Sequence, residues 1–292
     1  MATVIRNEPA CTPSGTHPAL IGQLLCAAGR LTNDDVTRVV LFQQERGLRF
    51  GEAAMELGLL DADDLQRALA GQFNFAYADV GTSGLDASLY CAYEPFGAHA
   101  EAIRSLRSSL TLRWFTEGRK ALAVLGARAG AGCSTVAANL AIALSQAGMR
   151  TLLIDADLRA PRQHRLFGLT ANDGLSNILA GRSTLAQTLV EVQPFSRLCV
   201  LSSGVAVPNP QELLSRPSFA TLMRALSTSF DAVLVDCPPG LECADAQLIA
   251  ARCGGCLLVA TQHRTRIDDL QATRQRLEPS GALVLGAVML GA

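Results

Sequence analysis

The most constraining feature of this sequence is residues 121–147, which pass from an apolar strand through a loop of small residues into a helix. The pattern predicts a strand over Ala121–Gly126 and a helix over 135–147, which Gly148 would end. Along the rest of the chain, helical patterns, including one over 210–229, alternate with further apolar runs predicted as strands over 151–154, 198–202, 232–235, 257–260 and 283–288. Such alternation predicts an α/β fold, with a parallel sheet and helices on both of its faces.

The loop reads GARAGAGCST over 126–135, and its residue types suit a phosphate anion. Gly130 and Gly132 let the backbone curl so that successive N–H groups point at phosphate oxygens, and the next helix adds its positive end. Cys133 stands where such loops usually carry a lysine, so the loop alone is a weak signal. The other loop residues expected to bind nucleotide are Arg128, Ala131, Ser134 and Thr135.

Acidic residues follow two of the apolar runs. Asp155 and Asp157 come directly after one predicted strand, and Asp236 comes directly after another. Carboxylates at strand ends opposite a phosphate loop can hold Mg²⁺, so we expect a metal site made of Ser134, Asp155 and Asp236. The alternative is that these aspartates only cap the helices that follow them.

An internal repeat with a period of 29 residues precedes this region, since 20–43 aligns with 49–72. A fixed period indicates duplicated structural units, here predicted as pairs of short helices. We therefore expect a small all-α tandem-repeat domain before the nucleotide-binding domain. The expected boundaries are a disordered tail at 1–16, the helical domain at 17–80, a linker at 81–100 and the nucleotide-binding domain at 101–292.

The composition and net charge of the chain limit the functions that it can have. The net charge of −1 gives no basic field for nucleic acid. No apolar run reaches the roughly 18 residues of a membrane span, and the longest, 281–292, is predicted to be a buried strand. The nine cysteines without a secretion signal indicate reduced thiols and a cytoplasmic location.

The loop, the three aspartates and the stretches AANLAIALSQAG (137–148) and LLIDADLRAPRQHRLFGL (152–169) carry a family resemblance. They resemble the bacterial tyrosine kinases of capsule and exopolysaccharide systems, especially the chain-length-determinant kinases, within the MinD/ParA-like P-loop ATPases. The resemblance implies ATP and Mg²⁺ as cofactors, Asp155 as general base toward a tyrosine hydroxyl, and Asp157 as support for the metal shell.

The same resemblance implies partners. Glu101, Arg104 and Arg107 match the contact through which the family forms rings, so we expect a homo-oligomer. It also implies an inner-membrane polysaccharide chain-length determinant as partner, which would place the chain peripherally at the inner membrane.

The repeat resembles the N-terminal domain of type II secretion and pilus-assembly ATPases. That resemblance implies a cyclic di-GMP site, which would involve Gly22, Gln43, Arg49, Gly51 and Gln72. The alternative is a docking module without a ligand. Leu20 occupies the basic position that the family has at the start of the first copy.

Two departures from the kinase family leave the function open. Because Cys133 replaces the lysine, the loop lacks a cation. The attraction between such a cation and a phosphate about 4 Å away is worth on the order of 4 kcal/mol. We expect Arg128 to compensate for this loss in part. Leu290 stands where the family usually has an asparagine that contacts adenine. The sequence therefore leaves an active kinase or ATPase and a catalytically degenerate regulator of the export complex as alternatives.

Overall fold

The computed structural model describes residues 18–61, 64–65, 68, 76–78, 83–94, 96–170 and 172–291. The chain divides into two compact units, Met1–Phe75 and Ala76–Ala292. No helix among the described residues is both long and apolar enough to cross a membrane.

Helices form the described part of the first unit. Thr32 begins the second of them with a capping box that it shares with Asp35, and Gly47 ends that helix with a φ of 69°. Leu25 and Val39 are among the buried side chains between the helices. The helices are Pro18–Ala27 (α1), Asn33–Arg46 (α2) and Phe50–Glu56 (α3).

The repeat is visible in how this unit packs. A Cβ atom on Gly22 would lie 3.0 Å from Val36 Cγ1, and one on Gly51 would lie 2.5 Å from Leu65 Cδ2. These two pairs occupy matching positions of the 29-residue repeat. In each copy, the first glycine therefore lets its helix pack directly against a side chain of the following segment, Val36 in the first copy and Leu65 in the second.

The second unit is built on a seven-stranded sheet in the order β3-β4-β2-β5-β1-β6-β7, in which β3 alone runs antiparallel to its neighbour. This confirms the predicted α/β class with a mostly parallel sheet. The strands are Ala121–Gly126 (β1), Thr151–Asp155 (β2), Leu189–Glu191 (β3), Leu198–Leu201 (β4), Ala232–Asp236 (β5), Gly255–Thr261 (β6) and Leu283–Leu290 (β7).

Helices cover both faces of this sheet, and two separate hydrophobic clusters lie against its two faces. The helix after the loop is buried from Val136 to Ser145, which places it in the centre of one layer. The helices are Tyr90–Tyr93 (α4), Ala98–Leu110 (α5), Cys133–Gln146 (α6), Gln163–Leu166 (α7), Leu175–Leu179 (α8), Leu185–Thr188 (α9), Pro210–Ser215 (α10), Pro217–Ser229 (α11), Asp245–Cys253 (α12) and Ile267–Leu277 (α13).

The segment expected to be a linker, 81–100, differs from that expectation in its described part. Leu89, Cys91 and Ala92 are buried in the core of the second unit. Asn139 on α6 accepts a hydrogen bond from the Cys91 N–H at 2.9 Å and donates one to the Ser88 carbonyl at 3.0 Å. These polar contacts hold the segment against α6. The sequence has no hydrophobic period here that would have predicted this packing.

Two further expectations differ from the structure. The last strand lies at the edge of the sheet, where Leu283 and Met289 are 51% and 68% exposed, so it is not the buried strand that its apolar sequence indicated. The single helix predicted over 210–229 is divided at Arg216, which is extended with a ψ of 149°. Proline at 217 disfavours a helical conformation in the residue before it.

Candidate nucleotide and magnesium site

The glycine-rich loop connects β1 to α6 at the carboxyl end of the sheet. Gly130 and Gly132 have φ angles of 82° and 78°, a region that favours glycine. A Cβ atom on Gly126 would lie 2.7 Å from Ala131 Cβ and 2.8 Å from Cys133 Sγ. The loop therefore curls back onto its own first residue, which is the conformation that turns backbone N–H groups toward an anion.

Asp155 and Asp236 end the neighbouring strands β2 and β5 and are direct partners in their parallel register. Their residues are 0% and 1% exposed. Asp155 Oδ2 accepts hydrogen bonds from the backbone N–H groups of Arg162 and Gln163, at 3.0 Å and 2.9 Å. The structure thus brings together two carboxylates that lie 81 positions apart in the sequence.

Gln163 connects these carboxylates to the loop, although no sequence motif pointed to it. Its Nε2 donates to Asp236 Oδ2 at 2.7 Å and to the Ser134 carbonyl at 3.1 Å. The side chain is fully buried. Its position four residues after the Asp157–Arg159 segment gave no chemical signal, because a glutamine beside a proline-containing turn usually lies in solvent.

Burial determines the protonation of the Asp155–Asp236 pair. It raises the pKa of Asp155 well above its ordinary value, and the nearby Asp236 carboxylate raises it further. Burial likewise raises the pKa of Asp236 to about 7, although hydrogen bonds from Gln163 and Ser134 oppose that rise. Two carboxylates placed together without a counter-ion therefore tend to keep a proton.

The donor set fits Mg²⁺. Asp155 Oδ1 and Asp236 Oδ1 are buried and have no hydrogen-bond partner among the described residues. These residues contain no cluster of three or more His, Cys, Asp or Glu side chains placed to hold a metal. Mg²⁺ does not require such a cluster, because it usually takes one or two carboxylates and completes its shell with hydroxyl, phosphate and water oxygens. The Ser134 hydroxyl is the nearby protein candidate.

Asp157 lies at the rim of this site, half-buried, and lines the same cavity as the loop. Its Oδ1 accepts hydrogen bonds from the backbone N–H groups of Arg159 and Ala160, at 3.1 Å and 2.9 Å. These bonds shape the turn that follows β2. Asp157 is therefore placed to order the segment that carries Arg162 and Gln163 toward Asp155.

Cys133 begins α6 and provides no cation. Burial raises the pKa of its thiol to about 12, and the Asp236 carboxylate contributes to the rise. The side chain is consequently a neutral thiol. A lysine at this position would have placed a charge next to the aspartates and the phosphates, and this part of the site lacks it.

Arg128 does not take the place of that lysine in this structure. Its Nε and Nη2 donate to the two oxygens of Asp269 on α13, at 2.7 Å and 2.9 Å. The neighbouring Ala129 N–H donates to Glu242 Oε1 at 2.9 Å. The ion pair with Asp269 therefore opposes the compensation that we expected of Arg128. In addition, the Ala129 N–H of the loop is already bonded to the Glu242 carboxylate.

A cavity of about 350 Å³ opens beside the loop. The loop residues form one wall, and the segments after β2 and β5 form the others. Leu290, at the end of β7, approaches from the edge, since its Cδ1 would lie 2.5 Å from a Cβ atom on Gly132. The cavity joins the loop to Asp157, Arg159, Arg162, Glu242 and Cys243.

The residues expected at an oligomer contact lie on α5. Glu101 Oε2 accepts hydrogen bonds from Arg104 Nε and Nη2 at 2.9 Å and 2.6 Å. Arg107 donates instead to the Ala143 carbonyl at 3.0 Å, and burial lowers its pKa. Glu101 is 66% exposed, so of the three side chains it is the most accessible to another molecule.

The residues expected to bind cyclic di-GMP lie in the first unit. The spaces beside Gly22 and Gly51 are filled by aliphatic side chains, which favours the docking-module alternative. The Arg49 N–H donates to Glu52 Oε2 at 2.9 Å as α3 begins, and the Gln43 carbonyl accepts from the Gly47 N–H. Gln72 lies outside the described residues. The ligand assignment stays a prediction.

Comparisons with known proteins agree with this geometry. A family model described as ParA, NUBPL iron-transfer P-loop NTPase, matches residues 117–289. The chain is 33% identical over 201 residues to the putative tyrosine-protein kinase CapB of Staphylococcus aureus, covering 69% of this chain and 88% of CapB. It is 37% identical over 188 residues to the putative tyrosine-protein kinase EpsB of Ralstonia solanacearum, of which it spans 25%.

The solved kinase domain of the Escherichia coli tyrosine kinase ETK superposes with a TM-score of 0.67 at 32% identity, covering 70% of this chain and 80% of that one. The matched region contains the loop and the aspartates described above. The predicted resemblance to tyrosine kinases is confirmed, whereas the one to secretion ATPases stays a prediction. The chain belongs to the bacterial tyrosine-kinase family of exopolysaccharide systems, a branch of the ParA/MinD-like P-loop NTPases.

Proposed function

We propose that this chain binds ATP with Mg²⁺ and acts as a protein-tyrosine kinase in polysaccharide chain-length control. The observation that supports the proposal most directly is the pair of buried carboxylates, Asp155 and Asp236, each with one oxygen that has no partner among the described residues. Burying carboxylates without partners is costly, and such sites are maintained where a cation or a reaction uses them.

The proposed roles follow from the contacts. Gly130 and Gly132 shape the phosphate cradle, and the Ser134 hydroxyl and Asp236 would hold the metal, with the charge of Asp155 beside it. Bound Mg²⁺ would neutralise phosphate charge during transfer. Asp155 is anchored through Oδ2, which leaves Oδ1 to accept the proton of a tyrosine hydroxyl.

The acceptor tyrosine is proposed to lie on another molecule. The hydroxyl of Tyr93 donates to the Leu85 carbonyl at 2.6 Å, and Tyr90 packs against the hydrophobic core of the second unit. Both side chains are thus engaged in the structure of the second unit. An inner-membrane chain-length determinant, which would also hold the chain at the membrane, is the proposed partner.

A catalytically degenerate regulator is the second candidate, and two observations favour it. Cys133 leaves the loop without its usual cation, and Glu242 Oε1 bonds the Ala129 N–H of the phosphate loop. In this alternative the chain would hold the export complex in one arrangement without transferring phosphate. The structure of the carboxylate pair favours the kinase, and the loop chemistry favours the regulator.

Two measurements separate these candidates. The first is calorimetric titration of the full chain with Mg-ATP, and the second is transfer of labelled γ-phosphate to a tyrosine-containing polymer. The kinase proposal expects Mg²⁺-dependent binding and transfer, both lost in Asp155→Asn. Binding without transfer, even with the membrane partner present, would support the regulator, and no binding at millimolar Mg-ATP would contradict the kinase proposal and leave the regulator.

A further inference from the structure

Three arginines line the cavity beside the phosphate loop, and they differ in what they contact. Arg128 is paired with Asp269 through two hydrogen bonds. Arg159 is paired with Asp245, with 2.7 Å between Nε and Oδ2, and Asp245 is 1% exposed. Both guanidinium groups thus form ion pairs with carboxylates on the helices that follow β5 and β6.

The third arginine of the cavity, Arg162, has no side-chain hydrogen bond or ion pair among the described residues. Its backbone N–H donates to Asp155 Oδ2 at 3.0 Å, so its main chain is fixed at the carboxylate pair. Its side chain is exposed and lines the same cavity as Gly132, Cys133 and Ser134. A cation is therefore tethered in the same cavity as the loop that lacks one.

The charge of Arg162 also acts on the buried pair, because it lowers the pKa of Asp236. The carboxylate of Asp86 is influenced by the same guanidinium. Neither aspartate forms an ion pair with it among the described residues, so both hydrogen-bonding edges of the guanidinium are left for a ligand. The guanidinium group is planar and presents several donors, a geometry that matches phosphate oxygens in a bidentate manner.

We propose that Arg162 replaces the missing P-loop lysine as the cation that binds the terminal phosphates of the nucleotide. This inference rests on the proposed nucleotide binding and assigns its cation to the segment after β2 instead of the loop. Lysine at the loop position acts as a point charge from the helix start, whereas Arg162 would reach the phosphates from the opposite wall of the cavity. A solvated surface arginine with no ligand is the alternative.

The test is a double-mutant cycle on the full chain, read by calorimetric titration with the Mg²⁺ complex of a non-hydrolysable ATP analogue. Arg162→Gln is expected to weaken binding by roughly tenfold or more, as for loss of a charge-assisted contact. Arg162→Lys, which keeps the charge, is expected to retain most of the affinity. Arg165→Gln is the matched control, because Arg165 is an exposed arginine on the short helix that Arg162 precedes but does not line the cavity.

The second part of the cycle introduces Arg162→Gln into the Cys133→Lys variant. There Arg162→Gln is expected to cost clearly less than in the wild type, since the loop lysine would supply the cation. Equal affinity of wild type and Arg162→Gln, with both proteins folded by circular dichroism, would overturn the inference while leaving the proposed function intact. Failure of both wild type and Cys133→Lys to bind would contradict the proposed function and the inference together.

Discussion

Asp155 and Asp236 are register partners at the ends of adjacent parallel strands, and both carboxylates are almost completely buried. The burial raises the pKa of each, that of Asp236 to about 7. Their stabilising contribution in the metal-free protein is therefore fully present below the unfolded-state pKa near 4 and is lost as the pH rises through about 7.

We therefore expect the melting temperature of the metal-free protein to fall by several degrees between pH 5 and pH 8. Asp236→Asn should flatten this dependence, because the amide does not titrate. Mg²⁺ should oppose the fall at pH 8, where the ionised pair would bind it. Differential scanning calorimetry across this range checks the prediction, and a melting temperature that rises steadily with pH in metal-free buffer would contradict it.

Cys133→Lys should tighten Mg-ATP binding. A loop lysine at about 4 Å from a phosphate is worth on the order of 4 kcal/mol, which corresponds to an upper limit of roughly a thousandfold. Cys133→Ala is the control, because it changes the side chain without adding charge, and it should leave the affinity close to that of wild type. If wild type already binds as tightly as Cys133→Lys, another group supplies the full charge.

Gln163→Leu should lower both the stability and the Mg²⁺ dependence of nucleotide binding. The change removes the donor to Asp236 and to the Ser134 carbonyl, and leaving buried acceptors unpaired costs about 1–3 kcal/mol. Urea unfolding measures the first effect, and titration at several Mg²⁺ concentrations measures the second. Gln247→Leu loses one hydrogen bond at an exposed position and should change neither quantity appreciably.

Glu101→Arg should prevent self-assembly through α5 without unfolding the chain. Glu101 is largely exposed, whereas Arg107 is bonded to the Ala143 carbonyl, so a change at Arg107 would disturb the fold as well. Glu117→Arg, at another exposed position, is the matched control. Light scattering should report a lower mass for Glu101→Arg alone, and an unchanged mass where wild type assembles would exclude this contact.

The local sequence determined the α/β class, six of the seven strands, the loop and the three aspartates. These features are encoded by neighbouring residues: apolar runs of strand length, glycines at positive φ, and carboxylates immediately after strands. The missing strand, Leu189–Glu191, is short and antiparallel, and its three residues carry no pattern that separates it from a turn.

Only the tertiary structure decided which charges act at the site. Arg128 looked available from its position in the phosphate loop, but it is held by Asp269, 141 residues further along the chain. No sequence motif pointed to Arg162, which lines the cavity beside that loop. Gln163 likewise acquires its role from Asp236, 73 residues away. Ion pairs and hydrogen bonds of this range depend on how helices pack across the sheet, and no local period or motif in the sequence records that packing.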